Sequence, residues 1–333
     1  MKNMTKIVFD RAGPPSVLYS IDREIPEPSA NEVLLETSSI GVNYIDVYFR
    51  TGLLPGDISP QTGIGVEAVG RVVSLGDGVE NISIGDRVAA IGGAPGSYST
   101  HRLFPQNRLL PLPDSISDET AAALLFKGLT VEYLINRCYS VRPGQTVLWH
   151  AAAGGVGRIA GQWLSDRGVN LIGSVGSESK LDVARENGFT NVLLSSSSTF
   201  DADIQDLTQN KGVDVAYDSV GAATFEQSLN SLKTRGTLVL FGNASGKVDA
   251  FDTSRLGSQG SVYLTRPSIA HYIANDAEFR AAASEVFSVI ERGIITAGTI
   301  NRFDLKDAAT AHHALEQRKL VGSTVMFQTK PTD

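Results

Sequence analysis

A glycine-rich turn at Gly154–Gly157 is the stretch of this chain whose residue types and spacing most clearly indicate chemistry. It follows Thr146–His150, whose branched and large residues are typical of a buried parallel strand, and it leads into Arg158–Ser165, which has helical periodicity. A pyrophosphate needs bare backbone N–H groups at the positive end of a helix, and a side chain in the turn would hold it away. The stretch therefore predicts a dinucleotide-binding turn. Ala152 departs from the strict glycine pattern, so a turn that serves packing alone stays open.

The next predicted strand, Asn170–Val175, ends where NAD-binding proteins usually place a carboxylate on the ribose 2′-hydroxyl. Here Ser174–Ser177 reads Ser-Val-Gly-Ser and carries no charge. Lys180 lies three residues beyond Ser177, which we expect to cap a helix. Glu178 is acidic, although a residue in the first helical turn can point to solvent. An uncharged strand end with a nearby cation favours the 2′-phosphate of NADPH over NADH.

Two regions with different patterns flank this turn. The N-terminal region has frequent glycine and proline and predicts a β-rich domain, with candidate strands Thr5–Phe9, Glu32–Ile40, Val66–Leu75, Arg87–Ile91 and Tyr98–Phe104. Ser117 is expected to begin the first long helix. Strands and helices then alternate, with strands at Thr146–His150, Asn170–Val175, Asn191–Leu194, Val213–Tyr217, Thr237–Phe241 and Val262–Thr265. This alternation predicts an α/β fold with a doubly wound parallel sheet, the Rossmann nucleotide-binding architecture.

Composition narrows the class of protein. A length of 333 residues favours two domains, and 42% hydrophobic with 20% charged residues is ordinary for a globular protein. The single cysteine, Cys138, excludes an internal disulfide and favours a cytoplasmic protein. No run approaches the ~18 apolar residues of a membrane span, so we expect no membrane partner. A net charge of −7 makes nucleic acid an unfavourable partner.

Several motifs in a fixed order carry a family resemblance. They are KGLT at Lys127–Thr130, HAAAGGVG at His150–Gly157, YDSVG at Tyr217–Gly221, FGNASG at Phe241–Gly246, TRPS at Thr265–Ser268, GVNYIDVYFR at Gly41–Arg50 and GDRV at Gly85–Val88. The chain resembles the zeta-crystallin-like NADPH:quinone oxidoreductases, the zinc-free branch of the medium-chain dehydrogenase/reductase superfamily, over nearly its whole length. The resemblance implies a GroES-like catalytic domain of residues 1–125 and 268–333, interrupted by a Rossmann domain of residues 126–267. In the family the last strand, here Ser323–Phe327, returns to the β-rich domain, and the substrate cleft lies between the two domains.

The zinc-binding positions of the superfamily are altered in this chain. Zinc-dependent relatives use a cysteine after the first GxN-like segment and a Gly-His-Glu triplet, where this sequence has Asn43, Asp46 and Gly65–Glu67 with Val66 in place of histidine. One cysteine cannot form a four-thiolate site, and the five histidines show no ligand spacing, so we expect no metal. Without a Lewis acid the chemistry must suit a hydride donor acting almost unaided. Reduction of a quinone qualifies, and so does reduction of an activated alkene beside a carbonyl.

The resemblance also implies roles for individual residues. Asn43 and Tyr48 are expected to line the nicotinamide and substrate cleft, with Arg266 at its mouth, and these three are the expected catalytic residues. Tyr48 has a structural alternative, because its neighbours Tyr44 and Phe49 suggest an aromatic cluster. Gly154–Gly157 would hold the pyrophosphate, and the ends of the later strands would contact the nicotinamide.

Other side chains are expected to contact NADPH directly. Lys127 and Thr130 match positions that approach the nicotinamide ribose or its phosphate, and a lysine in an apolar helix needs an anionic partner. Arg318 matches an arginine that reaches the 2′-phosphate, and Ser195 stands where the family often has tyrosine. The expected cofactor-binding residues are Asn43, Lys127, Thr130, Gly154, Gly155, Val156, Gly157, Ser174, Val175, Gly176, Ser177, Lys180, Ser195, Ser219, Phe241, Gly242, Asn243, Leu264, Arg266, Arg318 and Gly322.

The sequence thus predicts an NADPH-dependent, zinc-free quinone reductase. A 2-alkenal or enone reductase on the same fold is the enzyme alternative. A non-catalytic NADPH-binding protein or a single-stranded nucleic-acid binder is the alternative from another class, against which the acidic balance weighs. Ser261–Thr265, predicted to be the last strand of the parallel sheet, lacks proline and lysine, so we expect a homodimer joined through this edge.

Overall fold

The computed structural model describes residues 3–54, 56–318 and 320–328 of the chain. It divides into two compact units, which we call unit 1 and unit 2. Unit 1 contains the residues up to Lys127 together with those from Ala297 onward, and unit 2 is Gly128–Thr296. Within the described residues, no helix is both long and apolar enough to cross a membrane.

The strands are numbered in chain order. They are β1 Asn3–Phe9, β2 Tyr19–Glu24, β3 Glu32–Val42, β4 Thr62–Gly63, β5 Glu67–Leu75, β6 Arg87–Ile91, β7 His101–Pro105, β8 Leu109–Pro111, β9 Thr146–His150, β10 Asn170–Val175, β11 Asn191–Leu194, β12 Val213–Asp218, β13 Leu232–Leu240, β14 Tyr263–Thr265, β15 Ile300–Asp304 and β16 Ser323–Phe327.

The α-helices are numbered in the same way. They are α1 Tyr44–Arg50, α2 Asp118–Glu132, α3 Gly155–Asp166, α4 Leu181–Glu186, α5 Phe200–Leu207, α6 Phe225–Asn230, α7 Ser254–Ser258, α8 Ile269–Tyr272, α9 Asp276–Glu291 and α10 Ala308–Glu316. A π-helical segment, Tyr133–Cys138, continues directly from α2.

Unit 1 is the β-rich unit. Its larger sheet has the order β15-β16-β3-β5-β6-β8, with β7 also paired to β3, and a smaller sheet has the order β2-β1-β4. The inward side chains of the central strands, among them Val33, Leu35 and Phe104, form one apolar core. Strand β16 pairs antiparallel with β3, placing Met326 opposite Ile40. The expectation that the last strand returns to the first domain is confirmed, so this unit is discontinuous in sequence.

Unit 2 holds the doubly wound sheet. Its six strands are all parallel and lie in the order β11-β10-β9-β12-β13-β14, the order of a Rossmann fold. The sequence order reverses between β9 and β12, and ligands of such sheets bind at the carboxyl ends of the strands beside that point. Leu148 and Ile172 are buried in the core on one face. The predicted fold class is confirmed.

The boundaries between the units differ from the predicted ones at 125/126 and 267/268. They fall after Lys127 and after Thr296, so α9 belongs to unit 2. The reason lies in the packing of α9: an ideal Cβ on Gly128 would lie 2.7 Å from Val286 Cγ1 of this helix. The Thr296 backbone N–H also donates to Gln162 Oε1 at 2.8 Å. The family-based boundaries, in contrast, group this segment with the β-rich unit.

Helix starts were predicted from serine positions, with mixed results. Ser117 Oγ accepts the backbone N–H of Thr120 at 3.1 Å and caps α2 as expected. Ser177, in contrast, makes no capping hydrogen bond. Its hydroxyl lies 3.0 Å from Ser179 Oγ, and a 3-10 turn at Glu178–Lys180 precedes α4. The Ser177 cap was therefore wrong, because the hydroxyl is engaged by a neighbouring serine.

Candidate functional site

The glycine turn lies between β9 and α3, at the carboxyl end of the sheet. Ala151 has a left-handed backbone with φ 54°, and Gly154 is extended at the start of α3. An ideal Cβ on Gly157 would lie 2.5 Å from the Ala151 carbonyl oxygen and 2.7 Å from that of Ala152, so no side chain fits there. The amides of Gly155, Val156 and Gly157 form the first turn of α3, where N–H groups lack helical acceptors. This turn can bind a phosphate group.

The end of β10 is uncharged and open. Gly176 and Ser177 are exposed, and nothing lies within 4 Å of the position that a Gly176 Cβ would take. Ser174 is buried, and its Oγ lies 2.7 Å from His150 Nδ1, so its hydroxyl is used inside the unit and is not presented to a ligand. Glu178 is exposed, as its position in the first turn predicted, and Lys180 is half-buried.

His150 is a buried imidazole directly before the glycine turn. Burial lowers its pKa, against an opposing effect of the Asp218 carboxylate. Its ring lies 5.9 Å from that of Phe200, and Nε2 has no hydrogen-bond partner among the described residues. A neutral imidazole here pairs with Ser174 and fills space below the turn.

Asp218, at the end of β12, organises the next loop, and the sequence interpretation gave it no role. Its fully buried carboxylate accepts hydrogen bonds from Val220 N at 2.7 Å, Thr224 Oγ1 at 2.8 Å and Ser228 Oγ at 2.7 Å. These bonds fix the loop that carries Ser219. An acid at the end of a buried strand before a serine and a glycine is the pattern that could have indicated this.

The loops after β12, β13 and β14 meet at one place. Gly242 packs so closely on Ser219 that an ideal Cβ would lie 2.3 Å from the Ser219 carbonyl oxygen. Arg266 Nη1 donates to Leu240 O at 3.0 Å. When the Asn243 amide is oriented so that both its nitrogen and its oxygen form hydrogen bonds, the oxygen accepts a hydrogen bond from Arg266 Nη2 at 3.0 Å. The structure therefore brings Ser219, Gly242, Asn243 and Arg266 together.

Three further predicted residues occupy this carboxyl edge of the sheet. Phe241 follows β13, one residue beyond the end of the strand, and its ring lies 5.7 Å from that of Trp149. Leu264 lies within β14 and is half-buried. The Ser195 backbone N–H donates to Val175 O at 2.9 Å, which places Ser195 beside the end of β10.

Asn43 is buried in unit 1, and its amide donors bond within that unit. Nδ2 donates to Glu67 Oε2 at 2.9 Å and to Gly41 O at 3.4 Å. The Asn43 backbone N–H donates to Asp46 Oδ2 at 2.9 Å at the start of α1. The sequence interpretation expected this amide to bond an acceptor oxygen of the substrate, whereas the structure turns its N–H groups toward Glu67. Its catalytic role stays a prediction.

Tyr48 lies on α1 and is half-buried. Its ring makes a T-shaped contact with Tyr44 at a centroid distance of 5.2 Å. Phe49 lies away from this pair, against Phe9 at 5.8 Å. The aromatic cluster that we considered as the structural alternative is therefore present as a Tyr44–Tyr48 pair, and it orients the Tyr48 ring.

Lys127, Glu67 and Asp46 form a buried charged group in unit 1. Burial lowers the pKa of Lys127, and the Glu67 and Asp46 carboxylates oppose that shift. Burial raises the pKa of Glu67, and it raises the pKa of Asp46 to about 7. From the sequence, we expected the anionic partner of Lys127 to belong to the cofactor. In the structure two carboxylates of its own unit also act on Lys127, and its contact with the cofactor stays a prediction.

The remaining predicted residues lie at element ends. Thr130 is half-buried within α2. Arg318 follows α10, is exposed, and has a left-handed backbone with φ 57°. Gly322 has φ 92° and directly precedes β16. Their contacts with a cofactor stay predictions.

A zinc ion does not fit the superfamily position. Glu67 Oε1 accepts the Phe126 backbone N–H at 2.9 Å, while its Oε2 accepts from Asn43, so protein donors occupy both oxygens. In residues 3–54, 56–318 and 320–328, no group of three or more His, Cys, Asp or Glu side chains could hold a metal ion.

Comparisons with known proteins agree with this geometry. Residues 155–288 match the family described as zinc-binding dehydrogenase, and residues 29–114 match the alcohol dehydrogenase GroES-like domain. A quinone oxidoreductase of Salmonella typhimurium is 42% identical over 325 residues, covering 97% of this chain and 99% of the relative.

Two solved structures are also similar over nearly the whole chain. The quinone oxidoreductase of Pseudomonas syringae pv. Tomato DC3000 has a TM-score of 0.95 at 40% identity, covering 97% of this chain and 99% of that one. The quinone oxidoreductase of Escherichia coli, complexed with NADPH, has a TM-score of 0.93 at 40% identity, with the same coverage.

Proposed function

The chain belongs to the family of quinone oxidoreductases, and from this premise we propose that it transfers a hydride from NADPH to a quinone. The observation that supports the cofactor most directly is the end of β10. It is open at Gly176, free of carboxylates over Ser174–Ser177, and next to the glycine turn. A 2′-phosphate meets no carboxylate within Ser174–Ser177, and a helix N-terminus is available for the pyrophosphate.

The residues of this chain contribute binding and orientation. NADPH, when bound, supplies the hydride, and an electron-poor quinone accepts it without a Lewis acid. The first-turn amides of α3 would hold the pyrophosphate. The fixed loops at Ser219 and at Gly242–Asn243 would position the nicotinamide, because Asp218 and Arg266 hold them in place. Asn43, Tyr48 and Arg266 are the proposed substrate contacts.

The direct test is NADPH consumption measured in parallel with a panel of quinones and a panel of enones and 2-alkenals. We expect quinones to give the higher kcat/KM. Turnover confined to the enones and alkenals would assign the reaction to alkene reduction, and NADPH binding without turnover on either panel would contradict an enzymatic role.

We further propose that two copies of the chain associate through β14. This strand is the last in the six-stranded order, and Tyr263 on it is 62% exposed. A strand at a sheet edge presents unpaired N–H and C=O groups, and two such edges related by a two-fold axis can pair antiparallel. The sheet would then continue from one copy into the other.

Tyr263→Pro tests the interface, because proline removes an N–H donor and disfavours strand pairing. Tyr263→Thr is the matched control, since it shortens the side chain but keeps the donor. Sedimentation should show a dimer for the wild type and the control and a shift toward monomer for the proline variant, with folding checked by NADPH binding. A wild-type monomer at micromolar concentration, or a folded proline variant that stays fully dimeric, would exclude this interface.

A further inference from the structure

Two cations of unit 1 border the same backbone position, away from the residues assigned above. Lys6 lies on β1 and Arg102 on β7. An ideal Cβ on Gly96 would lie 3.6 Å from Arg102 Nε and 4.0 Å from Lys6 Cε. An ideal Cβ on Gly63 would lie 3.1 Å from Lys6 Nζ. The space in front of Gly96 therefore accepts an atom at ordinary contact distance, and that space is bordered by the Arg102 guanidinium and by the Lys6 side chain.

The guanidinium of Arg102 is held in position by neutral groups. Its Nη1 donates to Ser97 Oγ at 2.5 Å, its Nη2 donates to Ala94 O, and its Cζ lies 4.2 Å from the centre of the Phe104 ring. Ser97 is fully buried, so this side of the site is built into the fold. None of these partners carries a negative charge. Among the described residues, no acceptor forms a hydrogen bond with Arg102 Nε.

Lys6 is a half-buried lysine whose charged neighbours repel it. Burial lowers its pKa, and the charges of Arg102 and Arg23 lower it further. Burial also lowers the pKa of Arg102 to about 10. Among the residues that the structure describes, no carboxylate forms an ion pair with either side chain. Two like charges removed from water without a counter-charge are costly, and an anion between them relieves that cost.

We propose that Lys6 and Arg102 bind a small oxyanion, a phosphate or a carboxylate, over Gly96. The anion occupies the space over Gly96, where Arg102 Nε is its fixed donor and the Lys6 ammonium reaches it by rotation of a flexible side chain. Arg23, which is exposed on β2, adds positive charge at the entrance. Charge-assisted bonds of this kind are stronger than neutral ones, and the fixed guanidinium favours a planar or tetrahedral oxyanion over chloride.

Calorimetric titration of the full chain with inorganic phosphate, and separately with succinate, tests the site. Ionic strength is held constant with sodium chloride, and saturating NADPH is present so that the cofactor's own phosphate sites are filled. Lys6→Gln removes the positive charge, Lys6→Arg keeps it, and Lys306→Gln removes an exposed lysine of the same unit as the matched control.

The site predicts anion binding by the wild type that falls at least tenfold in Lys6→Gln and is kept in Lys306→Gln, with partial recovery in Lys6→Arg. If phosphate, succinate or both bind with this dependence on Lys6, the anion that binds identifies the class of ligand. NMR of the Lys6 side chain should show its pKa rising when the anion binds. The proposal is overturned if neither anion binds at millimolar concentration, or if Lys6→Gln binds as the wild type does.

Discussion

Asp46 is a carboxyl group whose protonation is controlled by burial. Its pKa is raised from 3.8 to about 7, chiefly by desolvation, while its Oδ2 accepts from the Asn43 backbone N–H and from Tyr98 Oη. The folded protein therefore keeps a proton that the unfolded chain releases between about pH 4 and pH 7. Its contribution to stability falls as pH rises through this window and is constant above it.

Asp46→Asn should remove this pH dependence, because an amide cannot ionise and its oxygen can still accept both hydrogen bonds. The free energy of unfolding of the variant, relative to the wild type, should increase between pH 4 and pH 7 by about 4 kcal/mol at most. Denaturant unfolding at several pH values measures the difference. His312, with its pKa lowered to about 3, contributes with the opposite sign, but it is present in both proteins. A difference that does not vary with pH would contradict the prediction.

Lys180 should contribute to the choice between cofactors. We expect NADPH to bind more tightly than NADH, and Lys180→Gln to reduce that preference, because one charge-assisted contact contributes about 1.5–3 kcal/mol. Fluorescence titration of both cofactors measures this. Lys306→Gln, on an exposed lysine, is the control. Equal affinity of the wild type for the two cofactors would refute our interpretation of the β10 end.

Two glycines at the carboxyl edge of the parallel sheet, Gly157 in α3 and Gly176 after β10, differ in what a side chain would meet. Gly157 contacts backbone carbonyl oxygens so closely that an added methyl group must displace the chain, whereas Gly176 has open space and needs no left-handed conformation. Gly157→Ala should therefore cost several kcal/mol of stability. Gly176→Ala should stabilise the fold slightly, by about 0.4–1 kcal/mol. Thermal unfolding of both variants measures this contrast, and similar melting temperatures would show that the turn can relax.

The elements themselves were largely predictable from local patterns. Arg87–Ile91, Thr146–His150 and Asn170–Val175 are short, β-branched or apolar runs with clear turn residues around them, and the structure has the same bounds. Boundaries failed where a distant contact decides them. The packing of α9 near Gly128 is such a contact, and residue spacing does not contain it. The Ser177 cap failed for a local reason, because its hydroxyl pairs with that of Ser179 two residues on.

The part of the site that the backbone forms could be predicted from the sequence, whereas the contacts of its side chains were predicted less well. The glycines of the turn could be predicted because a phosphate at a helix N-terminus requires them, and this requirement concerns only residues that are neighbours in the sequence. The link from Asn43 to Glu67, and the carboxylates around Lys127, join residues far apart in sequence. Asp218 was missed although its partners lie within ten residues, because the strand-end acid before a serine and a glycine was not interpreted as a loop anchor.

At the scale of the whole molecule, the reaction should not depend on a metal. Protein hydrogen bonds occupy both oxygens of Glu67, and valine replaces histidine at position 66. Exhaustive treatment with a chelator should therefore leave NADPH oxidation unchanged, and elemental analysis should find no stoichiometric zinc. Activity that is lost on chelation and returns with added zinc would refute the zinc-independent mechanism.

The pairing of β16 with β3 has a consequence for how the protein is made. Strand β3 precedes unit 2 in the chain and β16 follows it, so all of unit 2 is synthesised between them. Unit 2 is continuous in sequence and can fold while synthesis proceeds. The sheet of unit 1 must wait for β16, with the edge of β3 at Ile40–Val42 uncovered, until all of unit 2 has been synthesised. A nascent chain stalled before Ser323 would therefore carry a finished nucleotide-binding unit beside a sheet that still exposes its aggregation-prone edge.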